Sequence, residues 1–174
     1  MKFNLLIITV VLGCLNLTAC GNNEDKVKGS VVVVHDGYEA TLADGIQFSA
    51  KQNYPSFIKS VSGMSGYETS GRWTEGKDVN FTFIKNLPSN FTMQIDLMGP
   101  FGPNAGKVIQ IKIGDWKGQF IVDAKPSTNR FIVKTNAPTD SIGFTIPEPK
   151  SPKELGLSDD PRQLGIMFKL LSIN

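Results

Sequence analysis

The chain has 174 residues, of which 18 are Lys or Arg and 16 are Asp or Glu, so its net charge is only +2. No cluster of about five to eight basic residues occurs, which excludes the electrostatic pattern of a nucleic-acid-binding protein. The hydrophobic fraction of 40% is that of a folded globular protein, and the length fits one domain. We therefore expect a single folded domain with no nucleic-acid partner.

The first residues have the pattern of a bacterial signal peptide. Lys2 carries a positive charge, and an apolar run at residues 5–12 follows it. This run is shorter than the roughly 20 apolar residues that a transmembrane helix needs. It leads into Leu-Thr-Ala-Cys at residues 17–20, which resembles the lipobox of bacterial lipoproteins. We therefore predict a cleaved signal peptide over residues 1–19.

The lipobox resemblance implies that the thiol of Cys20 is acylated, including with palmitate. The alternative is a secretory signal peptide that ends in cysteine by chance. Several acyl chains on one cysteine anchor a protein stably, whereas a single chain binds a membrane only marginally. Gly21, rather than aspartate, follows the cysteine, and by analogy with lipoprotein sorting this favours the outer membrane facing the periplasm in a Gram-negative cell. Cys14 lies in the discarded segment, so the mature chain has no disulfide and no thiolate metal site.

Residues 20–29 are predicted to form a tether, because the segment after Cys20 is polar and lacks aromatic residues. The folded domain is predicted to cover residues 30–174. In it, apolar residues alternate with polar ones between turns rich in Gly, Pro, Asn and Asp, which is typical of strands with one apolar face. The alternating apolar positions are Val79, Phe81 and Phe83; Phe91, Met93, Ile95 and Leu97; Ile109, Ile111 and Ile113; Phe120 and Val122; Phe131 and Val133; Ile142, Phe144 and Ile146; and Ile166, Phe168 and Leu170.

Strands of this kind cannot bury their apolar faces alone, and helical periodicity is almost absent. Two antiparallel sheets packed face to face, about 10 Å apart, solve that problem. The sequence therefore predicts an all-β, antiparallel β-sandwich that is jelly-roll-like and similar to galactose-binding domains. Three segments are predicted loops: residues 63–74, 99–106 and 147–165. Within the last of them, residues 158–161 are predicted to form a turn or the start of a helix.

Motifs in these loops resemble a known domain. They are the Gly-Arg-Trp-Thr core of residues 66–74, the Phe-Gly-Pro-Asn of residues 101–104, and the Leu-Gly-Leu-Ser-Asp-Asp-Pro-Arg of residues 155–162. Over roughly residues 55–174 the chain is similar to a β-sandwich domain at the end of bacterial membrane-associated phosphoglycerol transferases and related glycosyltransferases, which also occurs alone. The resemblance implies an accessory role in envelope glycan metabolism. It assigns no catalytic residue, since the transferase active sites belong to other domains.

Residue types in the first loop suit contact with a sugar. A saccharide presents apolar C–H faces and hydroxyl pairs, which fit an aromatic ring beside bidentate polar groups. Candidate ligand-binding residues there are Tyr67, Glu68, Arg72 and Trp73, with Trp116 as a second aromatic platform. In the alternative interpretation Trp73 anchors the core where a strand begins, and Arg72 pairs with a carboxylate of the final loop.

Four further residues are candidates in the other two loops: Asn104, Asp159, Asp160 and Arg162. Arg162 either bonds loop carbonyls or points at a ligand. Asn104 is expected in a tight turn with positive φ, which Asn tolerates better than most residues. The adjacent acids Asp159 and Asp160 leave calcium open as a ligand, but we expect no metal cofactor.

Enzyme signatures are missing. The one histidine, His35, follows a valine run and is expected at a strand end or facing solvent, and the sequence contains no G-x-S-x-G, H-E-x-x-H or P-loop motif. Carboxylate pairs for glycoside hydrolysis stay open among Glu68, Glu75, Asp78 and Asp96. The sequence therefore favours a lipid-anchored, non-catalytic envelope module that binds glycan or supports envelope glycan metabolism. The alternatives are a structural or protein-interaction lipoprotein without a sugar ligand and, less favoured, a glycan hydrolase.

Overall fold

The computed structural model of the chain describes residues 31–51 and 53–174. The predicted signal peptide (1–19) and the predicted lipidated tether (20–29) lie outside the described residues. In the part that is described, no helix is long and apolar enough to cross a membrane.

The described residues form eleven strands and one short 3-10 helix. The strands are β1 (Val31–Val33), β2 (Ile46–Gln47), β3 (Ile58–Ser62), β4 (Arg72–Glu75), β5 (Asp78–Phe83), β6 (Asn90–Pro100), β7 (Val108–Ile113), β8 (Trp116–Ile121), β9 (Ser127–Lys134), β10 (Ser141–Thr145) and β11 (Leu164–Ile173). The 3-10 helix, Gly102–Asn104, lies between β6 and β7.

These strands form two antiparallel sheets, which confirms the predicted β-sandwich. One sheet has six strands in the order β1-β3-β5-β10-β7-β8. The other has the order β2-β11-β6-β9, and β4 also pairs with β11. Neighbouring strands in each sheet are therefore often distant in sequence, so the outer face of a sheet gathers side chains from several segments.

The core lies between the sheets and is built by the predicted alternation. The burial pattern of β7 alternates strictly, with Ile109, Ile111 and Ile113 buried. At the centre, phenylalanines from both sheets make edge and tilted contacts, with ring centroids of Phe144 and Phe168 5.2 Å apart and those of Phe48 and Phe168 5.4 Å apart. Such aromatic pairs add about 0.5–1.5 kcal/mol beyond their area burial. The two sheets are thereby held in a fixed relation.

One predicted position in the last strand is wrong. The alternation of Ile166 and Phe168 predicted Leu170 on the same buried face, but Leu170 is only partly buried, while Leu171 and Ile173 are buried. The pairing of β11 with β6 shifts register between Phe168 and Leu170. A β-bulge of this kind adds one residue to a strand, and everything after it changes face.

A close contact fixes β4 against β11. The hydroxyl oxygen of Thr74, which is fully buried, accepts a hydrogen bond from the backbone N–H of Ile166 at 3.0 Å. A Cβ on Gly165 would lie 2.6 Å from this oxygen and 2.5 Å from Cγ2 of Ile146. Glycine is required at this position, and the close approach sets where Arg72 and Trp73 lie.

Candidate functional site

The first and the last predicted loop regions meet through an arginine. Arg162 binds the carboxylate of Asp160, with Nη2 to Oδ2 at 2.7 Å and Nε to Oδ1 at 3.1 Å. Its Nη1 also donates to Oε1 of Glu68 at 3.1 Å. Hydrogen bonds from Arg162 hold the pKa of Asp160 below its ordinary value, and the same contact raises the pKa of Arg162. Through Glu68, Arg162 joins the 66–71 loop to the final loop, where Asp160 holds its guanidinium in place.

Arg72 lies elsewhere: the alternative interpretation paired it with a carboxylate of the final loop such as Asp159 or Asp160, but Asp160 is bound by Arg162. The guanidinium of Arg72 lies over the ring of Tyr54, with Cζ 4.6 Å from the ring centroid. Burial raises the pKa of the Tyr54 hydroxyl, while the charge of Arg72 and a hydrogen bond from it act in the opposite direction. Arg72 is set opposite Phe168 in the pairing of β4 with β11, so it faces the sandwich and not the final loop. Asp159 is exposed and makes no hydrogen bond or ion pair within the described part of the chain.

The two aromatic candidates of the first loop differ in exposure. Tyr67 is 38% exposed. Trp73 is partly buried, and its ring meets that of Phe101 edge to face at 5.8 Å. Trp73 is therefore neither a fully exposed platform nor part of the central core, and the Phe101 contact ties it to the second predicted loop.

Asn104 is completely buried and its amide is fully used. Nδ2 donates to the backbone oxygens of Phe101 at 3.0 Å and Glu148 at 2.8 Å, and Oδ1 accepts from the N–H of Glu148 at 3.2 Å. The expected positive φ is wrong, because every positive φ among the described residues belongs to a glycine. The glycines on either side, Gly102 and Gly106, supply the turn with φ of +56° and +74°. Asn104 instead joins two loops through its side chain.

The final loop contains a capping box that the sequence analysis did not single out. The hydroxyl of Ser151 accepts from the N–H of Glu154 at 3.0 Å, and Oε2 of Glu154 accepts from the N–H of Ser151 at 2.8 Å. These bonds hold the pKa of Glu154 below its ordinary value. The Ser-x-x-Glu spacing was the available signal. Together with the Asp160 and Arg162 contacts, it makes the final loop a well-bonded structure without regular elements.

Trp116 is partly buried against the sandwich interior. It packs against the core, with its ring meeting that of Phe131 at 6.0 Å, edge to face. A Cβ on Gly118 would lie 2.2 Å from its indole, so glycine leaves the space that the ring fills. The expected second aromatic platform is therefore occupied in closing the end of the sandwich.

The residues considered for catalysis are dispersed. Asp78 lies on the outer face of the six-stranded sheet, whereas Asp96 lies on the outer face of the other sheet, where Thr128 donates to it at 2.8 Å. His35 is exposed just after β1. Among the residues described, no group of three or more His, Cys, Asp or Glu is arranged to hold a metal ion.

A broad concave surface lies on the outer face of the six-stranded sheet. It is a trough of about 610 Å³ across β5, β10, β7 and β8. Its polar lining comes from outward positions of the four strands: Asp78, Asn80, Gln110, Lys112, Lys117, Gln119 and Thr145, with Gly143 between them. The order of residues along the chain does not by itself reveal this surface. The signal was present in the polar positions of the same alternation that predicted the core, but it required the strand order.

Matching side chains face each other across β7 and β8 in this trough. The pairing sets Gln110 opposite Gln119, and Lys112 opposite Lys117. One step further along, Val108 lies opposite Ile121, and these two are 41% and 61% exposed. Residues that face each other across an antiparallel pair have Cβ atoms about 4.5–5.5 Å apart. These three pairs form a strip along β7 and β8 whose side chains change from apolar (Val108 and Ile121) through amide (Gln110 and Gln119) to cationic (Lys112 and Lys117).

The outer face of the other sheet has a different character. There, directly opposed residues bind each other: Nε of Arg130 donates to Oε1 of Gln94 at 3.0 Å, and the hydroxyl of Thr128 donates to Asp96. In the trough, the glutamine and lysine side chains of β7 and β8 form no hydrogen bond or ion pair with any described residue. Opposed polar residues of β6 and β9 thus bond to each other, whereas those of β7 and β8 present open donors and acceptors.

The antiparallel sandwich is a fold that this chain shares with a solved structure. A mutant of a carbohydrate binding module family 29 protein shares this fold, with a TM-score of 0.50 over 73% of this chain and 86% of that protein, at 14% identity. Residues 33–174 match the family described as Domain of unknown function (DUF7024), and the chain belongs to this family.

The relatives of this chain include enzymes that are much longer than it is. Phosphoglycerol transferase I of Salmonella newport is 32% identical over 159 residues, covering 86% of this chain and 20% of that protein. Phosphoglycerol transferase I of Salmonella arizonae is 33% identical over 127 residues, covering 69% of this chain and 16% of that protein. This chain thus spans about a fifth or less of these relatives and corresponds to their C-terminal region. The resemblance inferred from the loop motifs is confirmed.

Proposed function

We propose that this protein is a lipid-anchored, non-catalytic module of the cell envelope that binds a glycan in the trough of its six-stranded sheet. The trough is the observation that carries the proposal. It is open and large enough for several sugar units, and its glutamine and lysine side chains on β7 and β8 form no hydrogen bond or ion pair with any described residue. Similarity to a carbohydrate-binding module in fold, and to phosphoglycerol transferases in sequence, supports a glycan partner.

The chemistry of the trough fits a saccharide. Amide side chains such as Gln110 and Gln119 both donate and accept hydrogen bonds, which matches the paired hydroxyls of a sugar ring. The exposed Val108 and Ile121 beside them offer apolar contact to C–H faces. Both properties occur along β7 and β8, so a sugar chain lying along these strands meets each of them in turn.

The candidate residues in the loops are less available to a ligand than those of the trough. Glu68, Asn104, Asp160 and Arg162 are engaged with other protein groups, so binding through them would require those bonds to be broken. Of the other loop candidates, Arg72 is engaged with Tyr54, and Tyr67, Trp73 and Asp159 are left as a second set of candidate contacts. A Trp73→Ala variant therefore serves as the comparison for variants in the trough.

Binding of the purified full chain in detergent to cellohexaose, mannohexaose and extracted envelope polysaccharide tests the proposal. We expect saturable binding that the double variant Gln110→Ala/Gln119→Ala weakens at least about tenfold, since each glutamine loses several hydrogen bonds to sugar hydroxyls. Gln47→Ala, an exposed amide on the other sheet, is the matched control and leaves binding unchanged.

Two results would overturn this function or its location. Loss of binding in Trp73→Ala but not in the glutamine variant would assign the ligand to the loop surface. No binding to any glycan by the folded protein would remove the glycan-binding function and favour a protein-interaction lipoprotein.

The anchor is tested separately. We propose that Cys20 carries the acyl chains and holds the domain at a membrane, with the outer membrane favoured by Gly21 if the cell is Gram-negative. Labelling cells with an alkyne analogue of palmitate is expected to mark the wild type and not Cys20→Ser, which should appear in the soluble fraction. Labelling of Cys20→Ser would reject lipidation at this residue.

A further inference from the structure

Two lysines of the trough lie directly opposite each other on the same face of the sheet. Lys112 on β7 faces Lys117 on β8, and both are exposed. Like charges that face each other across strands destabilise a sheet by up to about 1 kcal/mol. Neither lysine forms an ion pair with any residue that the structure describes. The fold therefore maintains an uncompensated pair of positive charges at this position.

The nearest carboxylate in sequence does not neutralise the pair. Asp115, in the turn between β7 and β8, accepts from the backbone N–H of Asn136 at 3.2 Å and from its Nδ2 at 2.6 Å. These bonds hold the pKa of Asp115 below its ordinary value. The carboxylate of the trough itself, Asp78, lies on β5, two strands away from β7, which is about 10 Å across the sheet. The two lysines and Asp78 thus define opposite ends of the trough.

A glycine beside the lysines keeps the floor of the trough open. Gly143 on β10 pairs with Lys112 on one side and Asn80 on the other. Glycine in a strand weakens it and often marks a place where a ligand approaches the backbone closely. Neither packing nor backbone conformation requires it, because an added Cβ would have no neighbour nearer than 3.7 Å, to Oδ1 of Asn80, and its φ is not positive.

We propose that Lys112 and Lys117 together bind a phosphate group carried by the glycan, with the neighbouring sugar lying over Gly143 and against Gln110 and Gln119. Lysine binds phosphate as a compact point charge, and two ammonium groups across neighbouring strands reach one anion between them. Asp78 repels an anion at the far end and so gives the bound chain a direction. This inference rests on the proposed function and names the class of ligand: a phosphorylated oligosaccharide.

Titration calorimetry of the full chain in detergent tests it with two matched probes, cellohexaose and cellohexaose 6-phosphate. We expect the phosphorylated probe to bind at least about tenfold tighter, and added salt to reduce this advantage. In Lys112→Gln/Lys117→Gln the two probes should bind within about twofold of each other. The control Lys134→Gln/Lys169→Gln removes the same charge from exposed positions of the other sheet and keeps the preference.

Glycine variants test the floor independently of charge. Gly143→Val is expected to weaken the binding of both probes at least about tenfold, because its side chain would occupy the floor of the trough. The melting temperature of the protein should stay the same or rise, since valine favours strands. Gly143→Ala, which adds only the Cβ, should keep that temperature and cause a smaller loss. Unchanged binding in Gly143→Val would reject the trough as the site.

The remaining outcomes separate the two proposals. Equal binding of both probes, unaffected by the lysine variant but lost in Gly143→Val, would overturn the phosphate assignment and leave the glycan site intact. Glycerol phosphate alone, or vesicles of phosphatidylglycerol, binding as tightly as the phosphorylated hexaose would assign the lysines to a free anion or a lipid headgroup and overturn the inference. No binding of any probe would overturn the inference and the proposed function together.

Discussion

Arg162 and Glu68, 94 positions apart in the chain, are joined by a hydrogen-bonded ion pair of 3.1 Å between Nη1 and Oε1. Their side chains are 35% and 37% exposed, so solvent screens the pair. We expect a double-mutant cycle with Glu68→Gln and Arg162→Gln, measured by urea unfolding, to give a coupling free energy below about 1 kcal/mol. A coupling well above this value would show that the loop junction is better shielded from water than its exposure indicates.

Acid should weaken this junction through Asp160. Hydrogen bonds from Arg162 lower the folded-state pKa of Asp160. The resulting stabilisation is present above the unfolded-state pKa, about 3.9, and is lost as pH falls through the lower folded-state value. Asp160→Asn is therefore expected to be less stable than wild type at neutral pH, with the difference shrinking as pH falls below the unfolded-state pKa of about 3.9. Urea unfolding across this pH range measures it. Asp159→Asn, at the exposed neighbouring position, should track the wild type, and a constant gap for Asp160→Asn would contradict the assignment.

Asn104 should be among the most sensitive polar positions. Its amide makes three bonds to backbone groups inside a fully buried site. Asn104→Ala leaves these backbone groups unsatisfied and should lower the free energy of unfolding by at least about 2 kcal/mol. Asn104→Asp keeps the shape but points a carboxylate at two carbonyl oxygens, so we expect it to be at least as damaging near neutral pH. Chemical unfolding distinguishes this role from a ligand contact, which would leave stability unchanged.

The sandwich was predictable because its strands bury one face. In β7, for example, the alternation of Ile109, Ile111 and Ile113 with polar residues contains both the strand and its orientation. Leu170 was not predictable, since the β-bulge before it depends on how β11 pairs with β6. The alternation of apolar and polar residues in the sequence does not indicate where such a register shift occurs.

The site was less predictable than the fold, and for two physical reasons. Residue type alone does not say which arginine meets which carboxylate: Arg162, not Arg72, binds Asp160, because β4 sets Arg72 against Tyr54. The trough depends on strand order, which brings Gly143 beside Lys112 although they are far apart in sequence. Exposed polar residues on a strand are ordinary in any sandwich, and only their convergence on one concave face distinguishes them.

The contact of Arg72 with Tyr54 predicts a titration at high pH. Burial raises the pKa of Tyr54, and Arg72 opposes that rise. A folded-state pKa above the unfolded value of about 10 means that the associated stability is fully present below pH 10 and is lost as pH rises through the folded value. Arg72→Met removes the positive charge, so we expect the Tyr54 pKa to rise further.

Ultraviolet absorbance of tyrosinate against pH follows this ionisation. Tyr54→Phe identifies the Tyr54 component by removing it, and Arg72→Lys, which keeps the charge but replaces the guanidinium over the ring, should show a smaller change than Arg72→Met. Ionisation of Tyr54 at a lower pH in Arg72→Met than in the wild type would mean that the loss of packing has opened the site to water. Arg72 would then act mainly by covering the ring, and its charge would be of secondary importance.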